Sequence, residues 1–353
     1  MNKKSVTLEL IAERMGLSVQ TVSKALRGKP GMSEETRQAV AVMARQLGYR
    51  TKGQRHSMSV EQLPLIPGAN RRFSFVMNGD QSFSGLNQLI LQGLQERLSE
   101  FGHTVGITVT PPRFADNKSF EDWAEQQNLA YMDGIFLSPS LTPDLEEKLL
   151  ALSMPRILIN FPPHAAEVDS IIWDVATAIH QSVHQLLMQG HRRILYIGKR
   201  ITHRGFTIRW QAFQAAMEHA GLAAEEHAHM VDEVMDRSVW SAELGRKLQA
   251  MQATAILSGL DYDLPWVYYA CSSAGIRIPE DCSLISLQNA ENQTMPGISR
   301  PRLLVSEAGE RAAERMLWRL ANPTLPYEQI RLQGSFFTGE TIRSYTQEGL
   351  EPR

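Results

Sequence analysis

Between Phe73 and Leu287, short apolar runs alternate with stretches of helical period, and the alternation runs through two successive sets. In the first set FSFVM (73–77), VGITVT (105–110), GIFLSP (134–139) and RILINF (156–161) read as strands. Leu86, Leu89, Ile90, Gly93, Leu94 and Leu98 give residues 85–101 a helical stripe, and a further helix is expected over 143–153. In the second set IIWD (171–174) leads into a helix from Ala176 to Met188. RILYIG (193–198), a helix over 208–220, AILSG (255–259) and LISL (284–287) follow. Strands alternating with helices make parallel, doubly wound sheets. Two such sets predict two lobes, and small ligands of such sheets sit beyond the carboxyl ends of the strands.

The first 56 residues behave differently. They carry eleven Lys/Arg against four Glu, while the whole chain has 36 basic and 38 acidic residues, so the remainder is acidic. A small basic head on an acidic body is the charge footprint of a nucleic-acid-binding module joined to something else. Thr7 precedes Leu8, Ile11, Ala12 and Met15, which share one helical face, and it is placed to cap that helix. Gly16 supplies a left-handed stop and Leu17 points back into the core. Ser18 starts a second helix through Leu26, with Val22, Ala25 and Leu26 as its apolar side. Ser33 caps a third, whose stripe is Thr36, Ala39, Val40, Met43 and Leu47. Helix, glycine-containing turn, helix is the pattern of a helix-turn-helix.

Its polar residues suit that geometry. The second helix exposes Gln20, Thr21, Ser23, Lys24 and Arg27 on the side its core does not use. In a helix-turn-helix this helix enters the major groove. Gln20 can pair with adenine and Lys24 with guanine acceptors. Thr7, Ser18, Thr21 and Ser23 are short hydroxyl donors suited to phosphate oxygens, and Thr7 and Ser18 serve equally as helix caps.

Other chemistries are excluded. No run approaches the 18 apolar residues of a membrane helix. Glu9, Glu13 and Arg14 interrupt what would be a signal-peptide core, and Cys271 and Cys282 form neither a disulfide framework nor a metal spacing. A cytoplasmic protein is expected, without membrane attachment. No Walker loop, GxSxG or HExxH occurs, and His227 and His229 in EEHAHM read as a solvated loop. The chain reads as a non-enzyme without cofactor or metal.

The head string VTLELIAERMGLSVQTVSKALRGKPGMSEETRQAVAVMARQLGY resembles the DNA-binding head of the LacI/GalR family of bacterial transcription regulators. The stretch from Asp174 to Gly198, ending QGHRRILYIG, AGIRIPEDCSLISL (274–287) and FFTGETIRS (336–344) are similar to segments of that family's body. The resemblance implies an α plus α/β chain: a three-helix head over 1–50, a linker or hinge over 51–72, and a two-lobed periplasmic-binding-protein-like body over 73–353. The N-lobe would take 73–172 with 303–332, and the C-lobe 173–302 with 333–348. It further implies that Val19, Gln20 and Lys24 read bases while Thr7, Ser23 and Tyr49 contact backbone. Met58 falls where the family's hinge helix carries a minor-groove wedge. Gly53, Ser57, Ser59 and a longer connector depart from that pattern, leaving Leu63 or no wedge as alternatives.

For an effector, the resemblance assigns Arg209 as the gripping residue, with Ala212 in place of the usual glycine, and Asp261, with Leu260 in place of the usual asparagine. Asn78, Asn160 and Asp174 are candidates by their places at strand carboxyl ends. The family's Gly-Tyr-Asp-Asp or Gly-Phe-Asp-Asp string is Ser286, Leu287, Gln288 and Asn289 here, so Gln288 replaces a ligand-binding aspartate. Trp173 or Trp240 could stack on a sugar or belong to the core. Arg200, His203 and Arg204 read as an exposed basic loop or as extra charge for an acidic ligand. The implied function is repression of carbohydrate-metabolism genes from a pseudo-palindromic operator, by a homodimer or tetramer controlled by a sugar, sugar acid or sugar phosphate. No leucine-heptad tail follows Arg343, which leans against a coiled-coil tetramer. The alternative is a regulator whose body answers to a protein partner.

Overall fold

The computed structural model describes residues 7–26, 32–47, 70–79, 85–199, 204–231, 236–260, 264–287 and 297–345. The chain divides into two compact units, Met1–Leu65 and Ile66–Arg353.

The first unit contains α1 (Leu8–Met15), α2 (Val19–Leu26) and α3 (Glu34–Leu47). Gly16 ends α1 at φ 63°, a conformation open to glycine at no steric cost. Leu17 then donates its N–H back to the Ala12 carbonyl. Ile11, Ala12, Val22, Ala25, Val40 and Ala44 are buried together, with Leu8, Met15 and Leu17 packed around them. On α3 the buried alanine is Ala44, one helical turn beyond Val40, and Ala39 is exposed. Ser18 and Ser33 cap α2 and α3, accepting the amides of Thr21 at 3.1 Å and Thr36 at 3.2 Å. Thr7 makes no such cap bond. Its hydroxyl instead bonds Glu9 and holds that carboxyl below its ordinary range.

The second unit runs β1 (Arg72–Asn78), α4 (Gly85–Glu100), β2 (Thr104–Thr110), α5 (Asn117–Gln126), β3 (Gly134–Leu137), α6 (Pro143–Leu150), β4 (Arg156–Leu158) and β5 (Asp169–Trp173). It continues through α7 (Val175–Met188), β6 (Ile194–Ile197), α8 (Arg204–His219), α9 (Arg237–Met251), β7 (Ala255–Ser258), α10 (Leu264–Ser273) and β8 (Ser283–Ser286). Then come β9 (Arg300–Pro301), α11 (Val305–Ala321), β10 (Gln329–Leu332) and β11 (Phe336–Phe337). One sheet has the order β10-β5-β4-β3-β1-β2 and the other β6-β7-β8, each parallel throughout. A short antiparallel pair, β9 with β11, lies where the chain passes between them. These are two parallel layers, as the alternation predicts, but IIWD, read with the second set, pairs as β5 with β4 and β10 in the first sheet.

Several details differ from expectation. RILINF is strand only over its first three residues, because Asn160 turns its side chain back to accept the Phe161 amide at 2.8 Å. The helix expected over 208–220 begins at Arg204. α5, α9, α10 and α11 are helices that the alternation does not mark. The buried side of α11 includes Ala308, Gly309, Ala312 and Ala313. They are small for a reason: a Cβ at Gly309 would lie 2.3 Å from the Ile90 carbonyl, and one at Gly93 would lie 2.0 Å from the Ser306 carbonyl. α4 and α11 therefore cross backbone to backbone.

The N-lobe has a buried charged fastening. Asp169, fully buried, accepts from Arg315 Nε at 2.8 Å and Arg319 Nε at 2.6 Å, and also from the Glu328 amide at 2.9 Å. It ties α11 and the run into β10 onto β5. Among the described residues no helix is long and apolar enough to cross a membrane.

Candidate functional site

In the first unit, α2 turns Val22 and Ala25 inward and leaves the opposite side to solvent. Val19, an apolar residue, is 39% exposed, and Gln20 and Lys24 are exposed beside it. Thr21 and Ser23 are half-buried. The hydroxyls of Ser18 and Thr21 lie 2.8 Å apart, so the start of α2 already holds two linked hydroxyl groups. Arg27, Tyr49 and Met58 lie outside the described residues.

In the second unit, the carboxyl ends of the six-stranded sheet carry a polar strip. Asn78 ends β1 in register with Thr110, which ends β2. Beyond β3, Ser138 donates to Asn87 at 2.9 Å and lies 2.7 Å from Ser140. Asn160 follows β4 and bonds the Pro139 carbonyl at 3.4 Å. Asp174 follows β5 and caps α7, accepting the amide of Thr177 at 3.1 Å and its hydroxyl at 2.9 Å. Asn78, Asn160 and Asp174 are thus brought to one sheet edge, each more than nine-tenths buried or close to it. Two buried polar atoms at strand ends, Thr110 Oγ1 and Trp173 Nε1, have no partner among the described residues.

At the carboxyl ends of the three-stranded sheet the described residues include two buried leucines, Leu260 and Leu287, and Leu260 joins the core cluster that also holds Trp240. Trp240 is therefore core. Arg209, in the second turn of α8, donates to the Gly259 carbonyl at 2.6 Å and lies over the Phe206 ring at 5.0 Å. Beside it, Tyr196 is stacked on Phe213, and its hydroxyl sits under the turns at Gly198 and Gly259. A Cβ at either glycine would approach that oxygen to 2.7 Å or 2.5 Å, so both positions must stay bare. The hydroxyl has no partner among the described residues. Burial raises the phenol's pKa, against the opposing charge of Arg209, so the group remains a neutral donor. Asp261 and Gln288, with Arg200 and His203, lie outside the described residues.

Two expectations are corrected. Arg204 is not in a loop: it opens α8 and is bonded to Glu146 and to the Phe161 carbonyl. His229 is not solvated. Only 2% exposed, it lies edge-on to Trp210 and Phe213 and accepts the Tyr196 amide at 3.1 Å. Burial, with the Lys247 charge nearby, lowers its pKa to about 4, so it is neutral at pH 7. Its partner in sequence, His227, is exposed. Among the described residues no group of three His, Cys, Asp or Glu could hold a metal ion. The sequence did not single out Tyr196, Thr110, Ser138 or Glu146. Only the tyrosine carries a signal, as the aromatic inside RILYIG.

Comparison with known proteins bears on both units. A family model described as bacterial regulatory proteins, lacI family, matches residues 7–52. Another, described as periplasmic binding protein-like domain, matches residues 183–342. The chain is 24% identical over 352 residues to the ribose operon repressor of Haemophilus influenzae, covering 96% of this chain and 99% of that protein. It is 23% identical over 324 residues to the HTH-type transcriptional repressor PurR of Escherichia coli, covering 90% and 91%. Two solved structures share the fold. A complex of the transcriptional regulator CelR with cellobiose has a TM-score of 0.65 at 20% identity, covering 95% of this chain and 99% of that one. The lac repressor dimer bound to operator and the anti-inducer ONPF has a TM-score of 0.63 at 15% identity, covering 96% and 100%.

Proposed function

We propose that the chain is a bacterial transcriptional regulator of the LacI family, a DNA-binding protein and not an enzyme, and that it represses carbohydrate-metabolism genes under the control of a small effector. The observation that carries the DNA reading is the exposed side of α2, where Val19, Gln20 and Lys24 stand opposite a closed core. Gln20 and Lys24 read base edges, Val19 supplies apolar contact, and Ser18, Thr21, Ser23 and Thr7 meet phosphates together with the amides at the start of α2. Arg27 and Tyr49 add backbone contacts, and Met58 the minor-groove wedge.

A homodimer on a pseudo-palindrome is the expected form, because one head buries too little surface for tight specific binding. A surface is available for it on β2, an edge strand that leaves Ile107 50% and Val109 42% exposed. The protein acts in the cytoplasm. The effector is a sugar, sugar acid or sugar phosphate held in the body by Arg209, Asn78, Asn160, Asp174, Asp261 and Gln288. The polar strip of the six-stranded sheet and the guanidinium of Arg209, suited to hydroxyls or an anion, support this reading. A body that answers to a protein partner is the second reading; it is favoured by Leu260, only 2% exposed, which replaces the asparagine that the resemblance places before the ligand-binding aspartate, here Asp261.

Selection of random duplex DNA on the purified protein tests the function. The expected outcome is one enriched palindrome whose affinity falls steeply with salt. Enrichment of nothing, with and without metabolite pools, overturns the DNA reading. Calorimetry against sugars and sugar phosphates then separates effector from partner, and silence across the panel favours the partner.

A further inference from the structure

Arg204 is the first residue of α8, where the helix dipole disfavours a cation. Its guanidinium nonetheless sits in one firm arrangement. The terminal nitrogen Nη2 bonds both oxygens of Glu146, at 2.6 and 2.7 Å, and Nε bonds the Phe161 carbonyl at 2.7 Å. Glu146 belongs to the first turn of α6 and is 2% exposed. Its carboxylate therefore meets the positive ends of two helices, its own and α8, as well as the guanidinium. The Phe161 ring reinforces the contact. It lies 3.9 Å from where a Cβ on Gly205 would be, and Arg331 of β10 stands 5.6 Å over its face.

The placement of these groups gives the contact its meaning. α6 and Phe161 follow strands of the six-stranded sheet, and α8 follows β6 of the other. The chain crosses between the sheets after β5, around β9 and between β10 and β11. The Arg204 contact is made by residues outside these connecting segments: Glu146 of α6, Phe161 after β4 and Arg204 of α8. Phe161 is also the neighbour of Asn160, whose side chain accepts the Phe161 amide. Because Arg204 is committed to Glu146, it does not serve as a cation for an acidic ligand.

We propose that Arg204, Glu146 and the Phe161 carbonyl form a latch that holds the two lobes against each other. The latch regulates the cleft read above as the effector site, and in that sense rests on that reading. An effector reaching Asn160 would act on the latch through the adjoining Phe161 backbone, and the coupling is carried by one named contact.

The test uses the full chain with neither DNA nor effector, so it does not depend on the regulatory reading. Hydrogen exchange is followed in the wild type, in Arg204→Met, and in an Arg204→Met, Glu146→Leu double variant that leaves no lone buried carboxylate. Both variants should exchange about tenfold faster over 160–162 and 204–213 while the central strands keep their protection. X-ray scattering should show a larger maximum dimension. Wild-type exchange and dimension in the double variant would overturn the latch, since the crossings alone would then hold the lobes. It would equally be overturned if Arg204→Met loosened the whole N-lobe and the double variant restored it, because the arginine would then serve only to solvate Glu146.

Discussion

The polar residues proposed to meet DNA and those proposed to meet an effector are kept in opposite conditions. On α2, Gln20 and Lys24 stand in solvent on the far side of a small core. In the body, Asn160, Asp174 and Arg209 are each hydrogen-bonded to their own protein before any ligand arrives. The difference follows from what each site binds. A surface for a polyanion can wait hydrated, because water satisfies its donors and is released on contact. A cleft that shuts around a small molecule pairs most of its polar groups in advance, because burying an unpaired one is costly; Thr110 Oγ1, Trp173 Nε1 and the Tyr196 hydroxyl stand as exceptions.

If the units are as separate as this contrast implies, a lesion in the body should spare the head. Asp169→Ala is the severest such lesion. It leaves Arg315 and Arg319, 4% and 6% exposed, without their buried carboxylate. Removing one partner of a buried ion cluster costs about 3–5 kcal/mol. Calorimetry should show the body transition falling by many degrees while the amide signals of α1 to α3 keep their dispersion. Loss of both together would break the comparison.

Acid should separate the units next. His229 is buried and neutral, its pKa lowered to about 4 from 6.5 by burial first and by Lys247 second. A base with a lowered folded pKa contributes stability that is complete above about pH 6.5 and is lost as the pH falls toward 4. The full difference is about 3 kcal/mol. The body's melting temperature should therefore drop over that window, and His229→Gln should flatten the drop. A slope unchanged in the variant would remove His229 as its cause.

What could be read in the sequence divides along the same line. The head is legible because caps, the Gly16 stop and three short stripes all lie within 41 residues, and each local choice agrees with the next. Most strands of the parallel sheets are legible because they are apolar runs; β10, QIRL, alternates polar with apolar residues and no run marks it. α11 lies beyond Leu287, where the alternation ends, although Val305, Met316 and Leu317 join the small residues on its buried side. The strand-end positions of Asn78, Asn160 and Asp174 could be placed by chain order. That Glu146 among the acidic residues of α6 is the buried one depends on which helix lies opposite, and no local pattern carries it. His229 was misread for the same reason: its burial is provided by Trp210 and Phe213, from a helix ten or more residues away.

Lys24→Ala sharpens the comparison from the head's side. If Lys24 reads a base, it should cost about 1–3 kcal/mol of operator affinity and relax preference at one position. If it meets only phosphate, all sequences should weaken equally and the salt slope should fall by about one. Fluorescence anisotropy on matched and mismatched duplexes separates these, and the body's melting transition should not move in either case.

The smallest expected effect is at Ser18, where cap and phosphate contact compete for one hydroxyl. Its oxygen already accepts the Thr21 amide at 3.1 Å and lies 2.8 Å from the Thr21 hydroxyl. Ser18→Ala should lower head stability by about 1 kcal/mol through the lost cap, and DNA affinity would fall with it whether or not the hydroxyl touches phosphate. Ser18→Asp distinguishes the two. Aspartate caps as well as serine and its charge suits the helix dipole, so the head should stay as stable as the wild type. Facing a phosphate, that same charge repels, and affinity should fall most at low salt, where screening is weakest. An Asp variant that is stable and binds DNA as tightly as the wild type would place Ser18 off the DNA face, leaving Thr21, Ser23 and the amides of α2 to hold the backbone.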